Sequence, residues 1–223
     1  EESRYHLWLA DQAIEMTRRA GLKYLYHSSP FKTWGHFSLK PDLFPRGWDG
    51  LKACADKARA AGIRLGFHTL SNFITPNDAY VTPNPTPRLA EIGASELTEA
   101  VAKDAREIPI AEADFFRKKT ALNTVRVGNE LIRYATVSSN APWRLLACER
   151  GAWGTRAAAH RRSDTIGKLM DHDYQVFLTD AILAQEVARR VAQLCNHTGA
   201  GQLSFDGLEG NWSTGYGQYG RTL

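Results

Sequence analysis

No apolar run in this sequence is long enough for a membrane-spanning helix, which needs about 20 consecutive apolar residues; no membrane partner is expected. Cysteine is scarce. Cys54, Cys148 and Cys195 are odd in number and far apart, so at most one bridge could form, and their apolar or small neighbours read as buried thiols. His-x-His, His-Glu-x-x-His and Cys-x-x-Cys are all missing. His27, His36, His68 and Asp206 are residue types that bind zinc, but without such spacing no metal is expected. There is no phosphate loop of the Gly-Lys-Ser/Thr type. Gly215 to Gly220 has the letters of a dinucleotide fingerprint, yet no strand leads into it and no helix leaves it. No cofactor is expected. The formal charge of +4 comes from scattered residues, and the Arg161-Arg162 and Arg189-Arg190 pairs are too short for a nucleic-acid stripe. No fixed-period repeat or low-complexity segment is present.

What is present is an ordinary globular composition, 43% hydrophobic and 23% charged, in a chain of 223 residues, enough for one substantial core or two small ones. The chain opens on Glu1 and closes on a glycine- and tyrosine-rich stretch, which suggests a segment of a longer protein. Six tryptophans and eight tyrosines supply flat amphipathic surface, suited to stacking on sugar rings or to filling a core.

Leu9, Ala13, Met16 and Ala20 recur at helical spacing and Gly21 stops them; residues 22–27 then read as a strand. After a long loop, Asp49 is placed to cap a helix with Leu51, Cys54, Ala55 and Ala58 on its apolar face. Gly62 ends it, and 63–68 form a second strand. Such a β-loop-α-β unit favours a parallel sheet. Four prolines make 75–88 a loop, and 94–103 reads as a charged helix. Gly128-Asn129 between 124–127 and 131–137 signals a hairpin, with 143–148 as a third strand. A long helix from Thr179 or Asp180 to Gly199 precedes a strand at 203–206. The expected fold is α/β, a partial or complete (β/α) TIM-type barrel. Barrel units occupy 1–90, a β-rich insertion 91–165, and a barrel helix and strand 166–223. Closure needs eight strands and three can be counted, so the others lie outside this chain or the sheet is open.

All three strands end in a chemically capable group: Tyr26-His27, His68 and Asp206. In a barrel such ends meet at one face; the plainer reading is that loops simply begin there. The stretch Gln202 to Gly210 ends an apolar run on Asp206, turns on Gly207 and has Glu209 close behind. Two carboxylates at such a mouth suggest glycosidic-bond chemistry, with Asp206 as nucleophile and Glu209 as acid. Both come from one turn, whereas catalytic pairs usually span different strands, so Glu209 could instead bind a hydroxyl. His27, His68, Trp34, His36, Asn72 and Trp212 are candidates for binding substrate, and Asp78 could also bond hydroxyl groups. Arg150, in a glycine-flanked turn with Trp153, could pair with an acidic sugar or with a carboxylate of the protein itself.

Three places carry a resemblance. They are Gly21-Leu22-Lys23-Tyr24-Leu25 with His27, Ala58 to His68, and Ser204-Phe205-Asp206-Gly207. Together they resemble retaining α-glycosidases of (β/α)-barrel type, the α-L-fucosidase and α-galactosidase kind. The resemblance implies a carbohydrate substrate, Asp206 as the attacking carboxylate and an acid on a later strand. The β insertion departs from that pattern. Two alternatives remain open: a non-catalytic carbohydrate-binding barrel, and a metal-dependent hydrolase or polysaccharide lyase using His27 and His68.

Overall fold

The computed structural model describes residues 2–70 and 72–207, with side chains from Ala10 onward. Glu209, Trp212 and the glycines of 215–220 lie outside the described residues. The chain begins with α1 (Glu2–Arg19), β1 (Tyr24–His27), α2 (Trp48–Ala60) and β2 (Arg64–Leu70). Two-residue β3 (Phe73–Ile74) follows, then β4 (Glu91–Glu96), β5 (Ile108–Pro109) and the short α3 (Asp114–Arg117). Next come β6 (Thr124–Val127), β7 (Glu130–Arg133), β8 (Thr136–Val137), β9 (Arg144–Leu146) and β10 (Thr165–Leu169). The described chain ends with β11 (Asp171–His172), β12 (Val176–Leu178), α4 (Ala181–Thr198) and β13 (Gln202–Asp206).

The expected barrel is not there. Only β1, β2 and β13 run parallel, in the order β1-β2-β13, and that sheet is open. The other ten described strands pair antiparallel in three small sheets, β4-β10-β6-β7, β11-β12-β3 and β5-β9-β8. The physical reason lies between β2 and α4. Residues 72–180 hold short strands joined by turns and loops, which pair antiparallel both in hairpins and across long separations, where a parallel barrel would need repeated helical crossovers. The described chain is therefore a mixed fold, thirteen strands in four open sheets with four α-helices.

The parallel layer forms where apolar residues alternate. Leu25, Leu65, Phe67 and Leu203 point to one face and join Leu51, Cys54, Leu183, Val187 and Ile14 from the three long helices. At Gly66 the neighbouring strand comes so close that a Cβ would lie 1.9 Å from the Gln202 carbonyl oxygen, so only glycine fits. The helix α4 starts at Asp180, whose side chain accepts a 2.7 Å hydrogen bond from Leu183 N–H, and ends at left-handed Gly199.

Two local expectations fail. Asp49 is not a cap: Gly47 occupies that position, and Asp49 lies in the first turn, 2.8 Å from His197. The stretch 94–103 is not a helix. Residues 94–96 belong to β4, held in place by antiparallel β10, and Gly93 lies against the Phe115 ring. Pairing there overrides the helical propensity of the alanines and glutamates. All three cysteines are free thiols, and burial pushes Cys148 up to about 12.

Candidate functional site

Register decides which strand-end residues meet. His27 pairs with Phe67, and Ser204 pairs with His68. Paired residues share a face and successive ones alternate, so His27 faces the helices while His68 faces the other way. His27 lines an apolar cavity of about 320 Å³ with Ile14, Leu25 and Phe44. It therefore does not share a pocket with His68 and Asp206, and the trio of His27, His68 and Asp206 does not assemble around a metal.

The opposite face is polar. Tyr26, Gly66 and Gln202 form one row, His68 and Ser204 the next, and Leu70 and Asp206 the last. His68 Nδ1 lies 3.1 Å from Ser204 Oγ, and Asp206 is the diagonal neighbour of His68 beyond Ser204. Tyr24 and Tyr26 are 53% and 49% exposed on this face. Gln202 Oε1 is buried there without a hydrogen-bond partner among the described residues.

Asp206 is solvent-exposed, and its Oδ1 accepts a 2.8 Å bond from Gly207 N–H. Gly207 is fixed twice over: its φ is +76°, and a Cβ would stand 2.8 Å from the Phe73 ring. The Phe-Asp-Gly turn is thus packed directly on β3.

The loops after β1 and β2 interlock at the same end of the sheet. Trp34 N–H donates to Thr75 Oγ1 at 3.1 Å, and the half-buried Trp34 packs against the apolar cluster that holds Leu70, Phe73 and Leu178. Trp34 thus serves as core at the edge of the site. His36 Nδ1 lies 2.7 Å from the fully buried Asp78, which also accepts from His36 N–H and Tyr80 N–H. Asp78 is consumed by these bonds. The His36 ring lies 4.2 Å from the Tyr80 ring, tilted by 37°. The Tyr80 hydroxyl donates to Glu186 and accepts from Arg190 Nε at 2.7 Å, and Arg88 holds the other Glu186 oxygen at 2.7 Å. Burial, then the bond to Glu186, pushes Tyr80 up to about 12, while that hydroxyl and Arg88 hold Glu186 down to about 2.

Asn72 is only 1% exposed and belongs to the interior. Arg150 takes the internal alternative: its Nε and Nη2 grip Glu130 at 2.9 and 2.8 Å. Glu130 also accepts from Gly151 N–H, Ala158 N–H and His160 Nε2. That five-bond hub lies in the antiparallel part and joins β7 to the Arg150 turn.

Sequence reasoning missed Ser204, the acceptor on Gln202 and the β11–β12 hairpin with His172 and Tyr174. Alternation from Gln202 to Asp206 carried the signal for the first two. For the hairpin it was Asp171-His172-Asp173-Tyr174-Gln175 ahead of the apolar run Val176-Phe177-Leu178. Comparison with protein-family models and with curated proteins returned no match.

Proposed function

We propose that this chain carries the nucleophile of a retaining glycoside hydrolase acting on an α-linked sugar, with Asp206 in that role. One observation carries the reading. Register places Asp206, Ser204, His68 and the unpartnered Gln202 acceptor on a single polar face, away from the helices and beside two exposed tyrosines. Polar groups that recognise hydroxyls, next to aromatic surface and an accessible carboxylate, suit a sugar better than an anion or an apolar ligand.

In the proposed reaction an Asp206 carboxylate oxygen attacks the anomeric carbon. The glycosidic bond breaks as an acid delivers its proton to the leaving oxygen. Water then cleaves the glycosyl ester, returning the proton to the acid and freeing Asp206. Glu209 is the candidate acid from the sequence. His68 and Ser204, joined to each other, would hold a sugar hydroxyl. The resemblance of Ser204 to Gly207 to α-glycosidases points the same way.

The test is covalent capture. A 2-deoxy-2-fluoro glycosyl fluoride panel, including α-galactosyl and α-fucosyl types, should add one sugar mass at Asp206 in the full protein, located by peptide mass spectrometry. Asp206→Ala should fold, take no label and turn over nothing. Undiminished turnover by Asp206→Ala would overturn the assignment. Sugar binding without label or turnover would leave a carbohydrate-binding protein instead.

A further inference from the structure

A second cavity, of about 280 Å³, opens between the Lys118–Ala121 segment and the β11–β12 hairpin. Its polar lining is Lys118, Lys119, Thr120, Asp171, His172 and Asp173. Two ammonium groups and two carboxylates cancel in charge, so the lining offers donors and acceptors in balance. A pocket near the lower end of ligand-site sizes, about 300 Å³, suits a single ring.

Asp171 is set in place from behind. Lys168 is fully buried, and burial pulls its ammonium down to about 8. Its Nζ donates to Asn123 Oδ1 at 2.7 Å and to Thr120 Oγ1 at 3.1 Å. An ammonium only donates, so the Thr120 hydroxyl is left to give its own proton to Asp171 Oδ2, at 2.6 Å. Ala121 N–H fixes Oδ1 at 2.9 Å. A carboxylate has about four acceptor positions, and these two bonds leave the others for a ligand.

The cavity is one ring away from Asp206. The His172 ring stacks on Phe73 at 4.9 Å and 26°, and Phe73 is the ring packed on Gly207. Tyr174, 52% exposed, stands edge-on to His172 at 4.5 Å and near Phe73 at 5.9 Å.

We propose that this cavity is a subsite for a neutral pyranose ring of the substrate, with Asp171 accepting from ring hydroxyls, Lys119 donating, and Tyr174, outside the lining but beside the His172 ring, closing over the ring's apolar face from the rim. The proposal rests on the glycosidase reading for its choice of ligand, but it has its own readout. Affinity electrophoresis in native gels containing galactomannan, xyloglucan or starch compares wild type with Asp206→Ala, Tyr174→Ala and Asp171→Asn. Wild type and Asp206→Ala should be retarded alike by at least one polysaccharide. Tyr174→Ala and Asp171→Asn should bind it at least about tenfold more weakly, which corresponds to about 1.4 kcal/mol. Tyr174 is exposed, so its variant decides the matter if Asp171→Asn does not fold. Wild-type retardation in both variants, or no retardation of wild type in any of the gels, overturns the subsite. Covalent labelling of Asp206 is scored separately: a labelled Asp206 with undiminished binding by Tyr174→Ala sinks the subsite alone, and an unlabelled Asp206 with weakened binding sinks the catalytic reading alone.

Discussion

Glu130 and Lys168 show two ways of keeping a charge inside this protein. Burial alone would raise the Glu130 carboxyl, but bonds from His160, Arg150, Ala158 and Gly151 outweigh it and hold the group at about 2. Since its ordinary value is 4.5, the resulting stabilisation is complete above about pH 4.5 and is lost as pH falls toward 2. Lys168 donates only to neutral acceptors, with the Tyr134 ring 4.6 Å away, and burial outweighs the attraction of nearby Asp171, so its ammonium is weakened. Glu130→Gln is expected to cost roughly 3–5 kcal/mol at pH 7, because Arg150 is left buried without its counter-charge. The cost should shrink as pH falls below 4.5. Urea unfolding at pH 7 and at pH 3 measures both effects, and parallel pH profiles for the two proteins would refute the assignment.

At the scale of elements, α4 was legible because everything local agreed. Leu183, Val187, Val191 and Leu194 form its buried stripe, Asp180 caps one end and Gly199 the other. Asp180→Ala is therefore expected to cost about 1 kcal/mol, read as a lower urea midpoint with unchanged slope. An unchanged midpoint would mean that the Leu183 N–H finds another acceptor at no cost. The strands at 24–27, 64–70 and 202–206 were legible for similar reasons, and so was the hairpin at 124–133. Pairing was not. A shift of one residue in register exchanges the two faces of a strand, and nothing local announces that His27 pairs with Phe67 and not with His68. That single fact separates His27 from His68 and Asp206. The Asp206–Ser204–His68 face follows from alternation once the register is known. By contrast β4, β10 and, on its β3 side, β12 pair with strands distant in sequence, and nothing local named those partners.

On the scale of the whole molecule, the parallel layer and the antiparallel sheets share one apolar cluster, beside a second that lies within the antiparallel part around Val125, Ile132, Leu145 and Ile166. A single cluster joins Leu51, Phe67, Leu183 and Val187 to Ile74, Leu131, Leu169 and Phe177. The candidate site sits above this shared core: Phe73, one residue before Ile74, carries both the Gly207 turn and the His172 ring. A core common to both parts makes them unfold together, since neither can expose its face without exposing the other's. Calorimetry should show one transition whose van't Hoff and calorimetric enthalpies agree. Phe177→Ala, at a fully buried position, should cost roughly 3–5 kcal/mol. In hydrogen exchange it should lower the protection of β2 amides as much as that of β10 amides. Two transitions, or loss of protection confined to the antiparallel strands, would mean that the site straddles two independent units. The geometry around Asp206 would then depend on how those units dock, and not on a common core.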